Sequence, residues 1–172
     1  MAAKRKARDV SSPWIRNSIL ILCSLGIIIS GYAYHVEISK EKDDSYRALC
    51  DLSETISCSK VFTSRWGRGF GLIDRIVGRE SWLNQPNSVF GMAFYAFQVT
   101  LAYNPTSVGA IVQFVSSVIA NVGSVYLAYI LFFVLNDVCI VCISMYIVNF
   151  LLLLCSISKL RKSMAAQSQK LR

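Results

Sequence analysis

Six cysteines carry most of the chemistry that this 172-residue chain can offer, and four of them stand at informative spacings. Cys139-Ile-Val-Cys142 is a C-x-x-C motif, a spacing suited to a dithiol that closes to a disulfide and reopens; at a helix N-terminus such a thiol ionises more readily. Cys50 and Cys58 make a C-x7-C pair. That pair suits an inert staple across an extracytoplasmic loop or an exchange reaction, since disulfides persist in an oxidising compartment. It is a poor spacing for structural zinc, and no metal site is expected. Cys23 and Cys155 sit inside apolar runs and read as small packing residues, with palmitoylation of Cys155 as the alternative beside a basic tail.

Helical spacing adds neighbours to the C-x-x-C. Cys139, Cys142, Tyr146 and Asn149 are three, four and three residues apart, so they share one helix face. Tyr146 falls about 6 Å along the axis from Cys142. At the start of another helix stands Leu83-Asn-Gln-Pro-Asn-Ser-Val-Phe-Gly91. Asn87 or Ser88 there either caps the helix, or Asn87 faces the same cavity as Cys142 and Tyr146. With Phe90 and Phe94 one and two turns along, the lining of thiols, neutral donors and aromatic rings suits an apolar ligand bearing a few polar atoms. It does not suit a phosphate or an ion. His35 is the only histidine, which excludes a bis-histidine haem within one chain and leaves an interfacial residue. Arg65-Trp-Gly-Arg-Gly-Phe-Gly71 lacks the strand–helix setting of a phosphate loop. Its Trp66, Phe70 and basic residues suggest a cap resting on a membrane interface.

The elements that position these residues follow from charge. The chain is 54% hydrophobic and 16% charged, against about 25% charged in soluble domains. Its formal charge of +8 resides on two tails: five Lys/Arg lie within Met1–Arg16 and five within Lys159–Arg172, while eight between Lys40 and Arg79 are matched by acids. A nucleic-acid partner is therefore not expected. Uncharged stretches cover Asn17–Val36, Ser81–Asn136 and Val138–Ser158. A spanning helix needs about 20 apolar residues, and Asn104-Pro105 breaks the middle stretch in two. The pattern predicts an all-α integral membrane protein. It is a four-transmembrane-helix bundle forming a single membrane domain over 1–172, with helices at about 15–36, 87–103, 108–135 and 138–158. A lumenal cap loop over 37–86 joins the first two. Basic termini place both ends in the cytoplasm, and the first apolar run is too long for a cleaved signal peptide. Ser116, Ala120, Ser124 and Ala128 form a small-residue stripe that predicts close helix packing.

Seven segments together resemble the vitamin K epoxide reductase family: Tyr34-His-Val-Glu37, Ala48-Leu-Cys-Asp51, Ser57-Cys-Ser59, Ser64-Arg-Trp-Gly-Arg-Gly-Phe-Gly-Leu72, Leu83–Gly91, Gly123-Ser-Val-Tyr-Leu-Ala128 and Cys139–Cys142. The similarity covers roughly 14–158, and Asn-Gln-Pro-Asn is more like a paralogous branch than the founding enzyme. The resemblance implies an endoplasmic-reticulum enzyme that reduces vitamin K 2,3-epoxide to the quinone, and the quinone to the hydroquinone. It implies Cys139 and Cys142 as the catalytic pair and Cys50 and Cys58 as the redox shuttle. Asn87 and Tyr146 would hydrogen-bond the substrate, and Phe62, Trp66, Phe90 and Leu127 would line its apolar pocket and cap. Implied too are a dithiol reductant, a lumenal thioredoxin-like oxidoreductase as partner, coumarin-type anticoagulants as pocket ligands, and no permanently bound cofactor. The alternatives are a quinone-linked disulfide generator running the same cysteines in reverse, and a non-enzymatic four-span scaffold.

Overall fold

The computed structural model describes residues 12–53, 56–78 and 81–171. Its elements are α1 (Pro13–Lys42), α2 (Cys58–Thr63), a 3-10 turn at Gly69–Gly71, α3 (Ile73–Val77), α4 (Asn87–Tyr103), α5 (Ser107–Tyr129) continued by a π-helical turn (Ile130–Val134), and α6 (Ile140–Leu171). No strand forms among the described residues; there are only isolated bridges at Ser53–Ile56, Ile56–Val138 and Arg68–Pro86. Three helices are long and apolar enough to cross a membrane: Pro13–Lys42, Ser107–Val134 and Ile140–Gln169. The chain is a multi-pass membrane protein. The helix expected at 87–103 forms over those residues, at 17 residues.

Two expected boundaries move. The first helix continues past 36 to Lys42, and the last continues past 158 to Leu171, so the connecting segment begins at Asp43. Loss of hydrophobicity marks where a helix leaves lipid; it does not break the backbone ladder. A helix stops where another partner takes its backbone groups. At Asp43 the chain turns extended, and its carboxylate accepts from the Ser45 amide at 2.8 Å and hydroxyl at 2.6 Å. Nothing between Lys159 and Leu171 does the same: that stretch has no Gly or Pro and is made largely of good helix formers. The break at Asn104-Pro105 is as expected. Asn104 Oδ1 accepts from the Thr106 amide and hydroxyl (3.0 and 2.7 Å), and the Thr106 hydroxyl caps α5 by accepting from Gly109 N at 3.0 Å.

Helix α1 packs on α4 and α6, and α5 packs on α6, while α4 and α5 make far fewer contacts. Ile15, Ile19, Cys23, Tyr95, Ala102, Val148 and Leu152 form the core at one end, with Cys155 against them. Gly26 is required here: a Cβ would lie 2.4 Å from the buried ring of Tyr95.

Lys159, the first cation of the C-terminal tail, does not lie in solvent. It is only 2% exposed, and its ammonium donates to the Leu101 carbonyl at 2.6 Å and to Gln113 Oε1 at 2.9 Å. It thus supplies from α6 a positive group at the C-terminus of α4, where the helix dipole favours one. Beside it Gln98 donates to Ser116 and Ser117 (3.0 and 3.2 Å), and Ser117 pairs with Ser156 at 3.0 Å. Lys159→Met leaves the Leu101 carbonyl and the Gln113 amide oxygen without this donor. We expect a loss of about 1–3 kcal/mol of stability, read as a lower melting temperature in detergent; an unchanged melting curve would show that the contact is not stabilising.

Candidate active site

The break between α5 and α6 positions the C-x-x-C. The π-helical turn ends with Leu135 N donating to Ile130 O at 2.9 Å, and Asn136 then adopts φ 51°, in the left-handed region. This turns the chain so that Val138 bridges Ile56 in parallel. Cys139 follows as the cap of α6: its carbonyl accepts from Ile143 N at 3.0 Å and its sulfur from Cys142 N at 3.3 Å. The Cys139 sulfur therefore faces a helix N-terminus, a setting that favours the thiolate.

The Ile56–Val138 bridge brings the two cysteine pairs together. Cys58, Val61, Leu131 and Cys139 form one buried cluster, with Cys50, Phe62, Cys142 and Tyr146 packed against it. Cys50 and Cys58 are joined as a disulfide, and Cys139 and Cys142 are free thiols. Cys58 and Cys139 are wholly buried, while Cys50 and Cys142 are partly accessible.

The loop pair stands on Asp51. Its carboxylate accepts from Ala48 N (2.9 Å), Ser57 Oγ (3.0 Å), Ser59 N (3.0 Å) and the Ser59 hydroxyl. Burial alone would raise the Asp51 carboxyl. The hydrogen bonds from Ser59, Ala48 and Ser57 outweigh it and hold it at about 2. Because Asp51 lies close to the two bonded sulfurs, Cys50, Asp51 and Cys58 also have the grouping of a metal site, but the disulfide removes two of the three ligands.

A cavity of about 750 Å³ lies between the cap segment and the bundle. Its wall includes Cys142, Tyr146, Asn87, Phe62, Trp66, Phe90 and Leu127. Among the described residues Cys142 is the one cysteine on that wall; Cys139, Cys50 and Cys58 lie behind it. The Tyr146 hydroxyl has no hydrogen-bond partner among the described residues. Deeper in, Tyr95 donates to Asn149 Oδ1 (2.7 Å) and Asn149 donates to Ser124 (2.9 Å), giving the cavity a polar floor.

Asn87 does not cap its helix: Pro86 holds that position and no side chain caps it. The Asn87 amide instead clamps the cap backbone, accepting from Phe70 N at 2.8 Å and donating to Trp66 O at 2.7 Å. One N–H of its amide nitrogen remains for a ligand. The clamped segment needs Gly69-Phe70-Gly71, whose φ values of 52°, 58° and 67° are all left-handed; this conformation accounts for the glycines once compared with a phosphate loop. Trp66 and Phe70 line the cavity, where Trp66 meets Tyr126 edge-on and Phe70 packs on Phe90. The apolar side chains that the cap segment exposes most are Leu49, Ile76 and Trp82.

Ser116, Ala120 and Ser124 of the small-residue stripe line the cavity, and two of them also bond neighbouring helices, Ser116 to Gln98 of α4 and Ser124 to Asn149 of α6. The adjoining face of α5 adds Ser117 on Ser156 and Asn121 on the Asn149 carbonyl. Along the stripe, Ile119 and Val122 are on the wall and also exposed, so the cavity opens sideways where α4 and α5 hardly meet. The wall is also not wholly neutral. Glu37 of α1 lies on it, buried, and accepts from Arg68 Nε at 2.9 Å; Arg68 also reaches Glu41. The balanced charges between residues 37 and 80 hinted at such pairs, but their spacing named no partners.

The described geometry can do one kind of chemistry well: two-electron exchange between an apolar ligand and a dithiol backed by a second pair. A family model for the vitamin K epoxide reductase family matches residues 17–157. The chain belongs to that family. Vitamin K epoxide reductase complex subunit 1 of Mus musculus is 51% identical over 140 residues, covering 81% of this chain and 87% of that protein. The Rattus norvegicus protein of the same name is 49% identical over the same coverage. The match takes in the cysteine pairs, the cap and the cavity wall of this family member. The N-terminal segment before residue 12 lies outside the described residues.

Asp51 yields a pH test. Its folded value is depressed below the ordinary value of about 3.9, so the stabilisation is complete above about pH 4 and is lost as pH falls toward 2. Protection of the Ala48 and Ser59 amides from hydrogen exchange should fall across that window and be absent in Asp51→Ala at neutral pH. Unchanged protection in the variant would mean that the turn is held by other contacts.

Proposed function

We propose that this protein is an oxidoreductase that reduces vitamin K 2,3-epoxide to the quinone and the quinone to the hydroquinone. A two-pair cysteine relay supplies the electrons. One observation carries the reading: the cavity touches a single thiol, Cys142, which is backed by Cys139 and by the buried end of the Cys50–Cys58 disulfide. The identity to the two rodent reductase subunits supports the activity.

In this mechanism Cys142 bonds to the naphthoquinone ring, and Cys139 resolves the adduct by closing Cys139–Cys142. Two electrons pass to the substrate, and the epoxide oxygen leaves as water with the two thiol protons. Asn87 and Tyr146 donate to the ring oxygens as they gain negative charge, while Phe62, Trp66, Phe90 and Leu127 enclose the ring; coumarin anticoagulants would occupy the same space. Cys58 then attacks Cys139 and frees Cys142, and Cys50 closes on Cys58. The observed state, with the helix pair reduced and the loop pair oxidised, is the state that follows this transfer. A lumenal thioredoxin-like protein reopens the loop pair through Cys50, the sulfur that is accessible.

The reading places one membrane domain in the endoplasmic reticulum. It has four spans counting α4, whose 17 residues lie at the short end of the spanning range. The termini are cytoplasmic and the 43–86 segment is a lumenal cap. The basic tails support this orientation.

Membranes carrying Cys142→Ser should lose epoxide reduction even with dithiothreitol supplied, whereas Cys50→Ser should retain part of it. Full activity of Cys142→Ser would remove the mechanism. Tyr146→Phe removes a hydroxyl that bonds nothing among the described residues, so folding should be unaffected while turnover drops about a hundredfold. Turnover equal to that of the unmodified enzyme would show that Tyr146 only packs.

A further inference from the structure

We propose that the turn Ala48–Asp51 is the docking surface for the protein that donates electrons, with Leu49 and Leu52 as its apolar contacts. The inference rests on the reading of Cys50–Cys58 as the shuttle pair, and it names how the partner is recognised.

Three observations converge on this turn. First, Cys58 is wholly buried and Cys50 is only half-buried, with the Tyr32 hydroxyl on its sulfur at 3.8 Å, so Cys50 is the member of the pair nearer the surface and the one an incoming thiolate can approach. Second, Leu49 is 87% exposed and Leu52 65% exposed, on either side of that sulfur in sequence. One exposed leucine is ordinary; two beside the one attackable sulfur, outside any membrane-length helix, form a surface. Third, the surface is rigid. Asp51 N donates to Ala48 O at 3.0 Å and Ala48 N to the Asp51 carboxylate at 2.9 Å, which closes the turn with Leu49 and Cys50 at its apex. The Asp51 carboxylate also ties the turn to Ser57 and Ser59.

Lipid does not fit this position. Lys42, Asp43, Asp44 and Arg47 immediately precede the turn and are all exposed, which puts it in water. Those four charges cancel, so electrostatic steering of a partner is weak and association must rest on apolar contact. Thiol–disulfide exchange needs the attacking sulfur in line with the bond it breaks, and a protein that achieves this at Cys50 must cover the residues beside it. The occupant is a thioredoxin-fold protein whose reactive dithiol lies in an apolar surface. Its thiolate attacks Cys50 Sγ, the Cys50–Cys58 bond breaks, and Cys58 leaves as thiolate. Its second thiolate then attacks its own sulfur in the mixed disulfide and frees Cys50. The partner ends as a disulfide, and its two electrons and two thiol protons reside on the loop pair.

The test compares two reductants on the full chain in lipid nanodiscs, with vitamin K quinone as acceptor. With reduced thioredoxin as donor, the Leu49→Ser/Leu52→Ser variant should need about tenfold more donor for half-maximal rate, the loss expected of an apolar contact at an interface centre. With dithiothreitol as donor its rate should match the unmodified protein. Each single variant should show part of the shift. An unchanged thioredoxin requirement would overturn the proposal, because the leucines would then serve lipid, a second copy or nothing. An equal loss with both donors would also overturn it, making the turn merely structural. If the unmodified protein fails to reduce quinone with dithiothreitol, the reading beneath the proposal fails instead.

Discussion

The register between Ile56 and Val138 is the constraint on which the site depends. One parallel bridge links a short polar segment to the break between two helices, and it brings the loop cysteines and the helix cysteines into one buried cluster. The left-handed backbone at Asn136 makes the bridge possible by ending α5 and reversing the chain before α6 begins. A shift of one residue in the pairing would move Cys58 relative to Cys139 and break up the cluster, while the contact of the Cys139 sulfur with Cys142 N is local to α6 and would persist. Backbone registration therefore decides whether the two pairs meet.

Around that register the cap is fastened at three points, each to a different helix. Glu37 of α1 holds Arg68, Asn87 of α4 holds the backbone at Trp66 and Phe70, and Tyr126 of α5 packs on Trp66 and donates to the Phe70 carbonyl at 3.4 Å. The result is a roofed, mainly apolar cavity with the Cys142 thiol on one wall and a polar floor of Tyr95, Asn149 and Ser124. The weak seam between α4 and α5 leaves it open to the side. On the proposed mechanism a lipid-soluble ligand would reach Cys142 from the bilayer and electrons would arrive at Cys50 from water. Cys50 and Cys142 are the partly accessible members of the two pairs, and the buried members, Cys58 and Cys139, share one cluster.

Many buried polar groups in the bundle find a partner on another helix, although the Ser88 hydroxyl and Gln98 Oε1 of α4 have none among the described residues. Lys159 completes the C-terminus of α4, Ser117 meets Ser156, and Asn121 reaches the Asn149 carbonyl. In an apolar medium an unpaired group costs more than a paired one returns. These contacts therefore select which helix faces meet, a choice that apolar side chains alone leave open. The small residues of α5 illustrate this: Ser117 and Ser124 bond α6, Ser116 bonds α4, and Ser116, Ala120 and Ser124 also line the cavity.

The chain's composition and spacing by themselves determined a good deal. The long helices, the turn at Asn104-Pro105, the shared face of Cys142, Tyr146 and Asn149, and a mainly apolar lining around them all follow from local hydrophobicity and helical period. Those properties act within one element and are written in consecutive residues. The end of α1 at Lys42 and the continuation of α6 beyond 158 were not legible, because hydropathy reports the lipid boundary and not the last backbone hydrogen bond. Also hidden were the partners of charged and polar side chains: Glu37 with Arg68, Lys159 with Leu101, and Asn87 with the cap backbone instead of its own helix. The inward turn of Trp66 and Phe70 belongs with these. Each depends on contacts between residues far apart in the chain. Only the packed structure could decide them, because burial makes an unpaired group costly, and burial is a property of the whole fold.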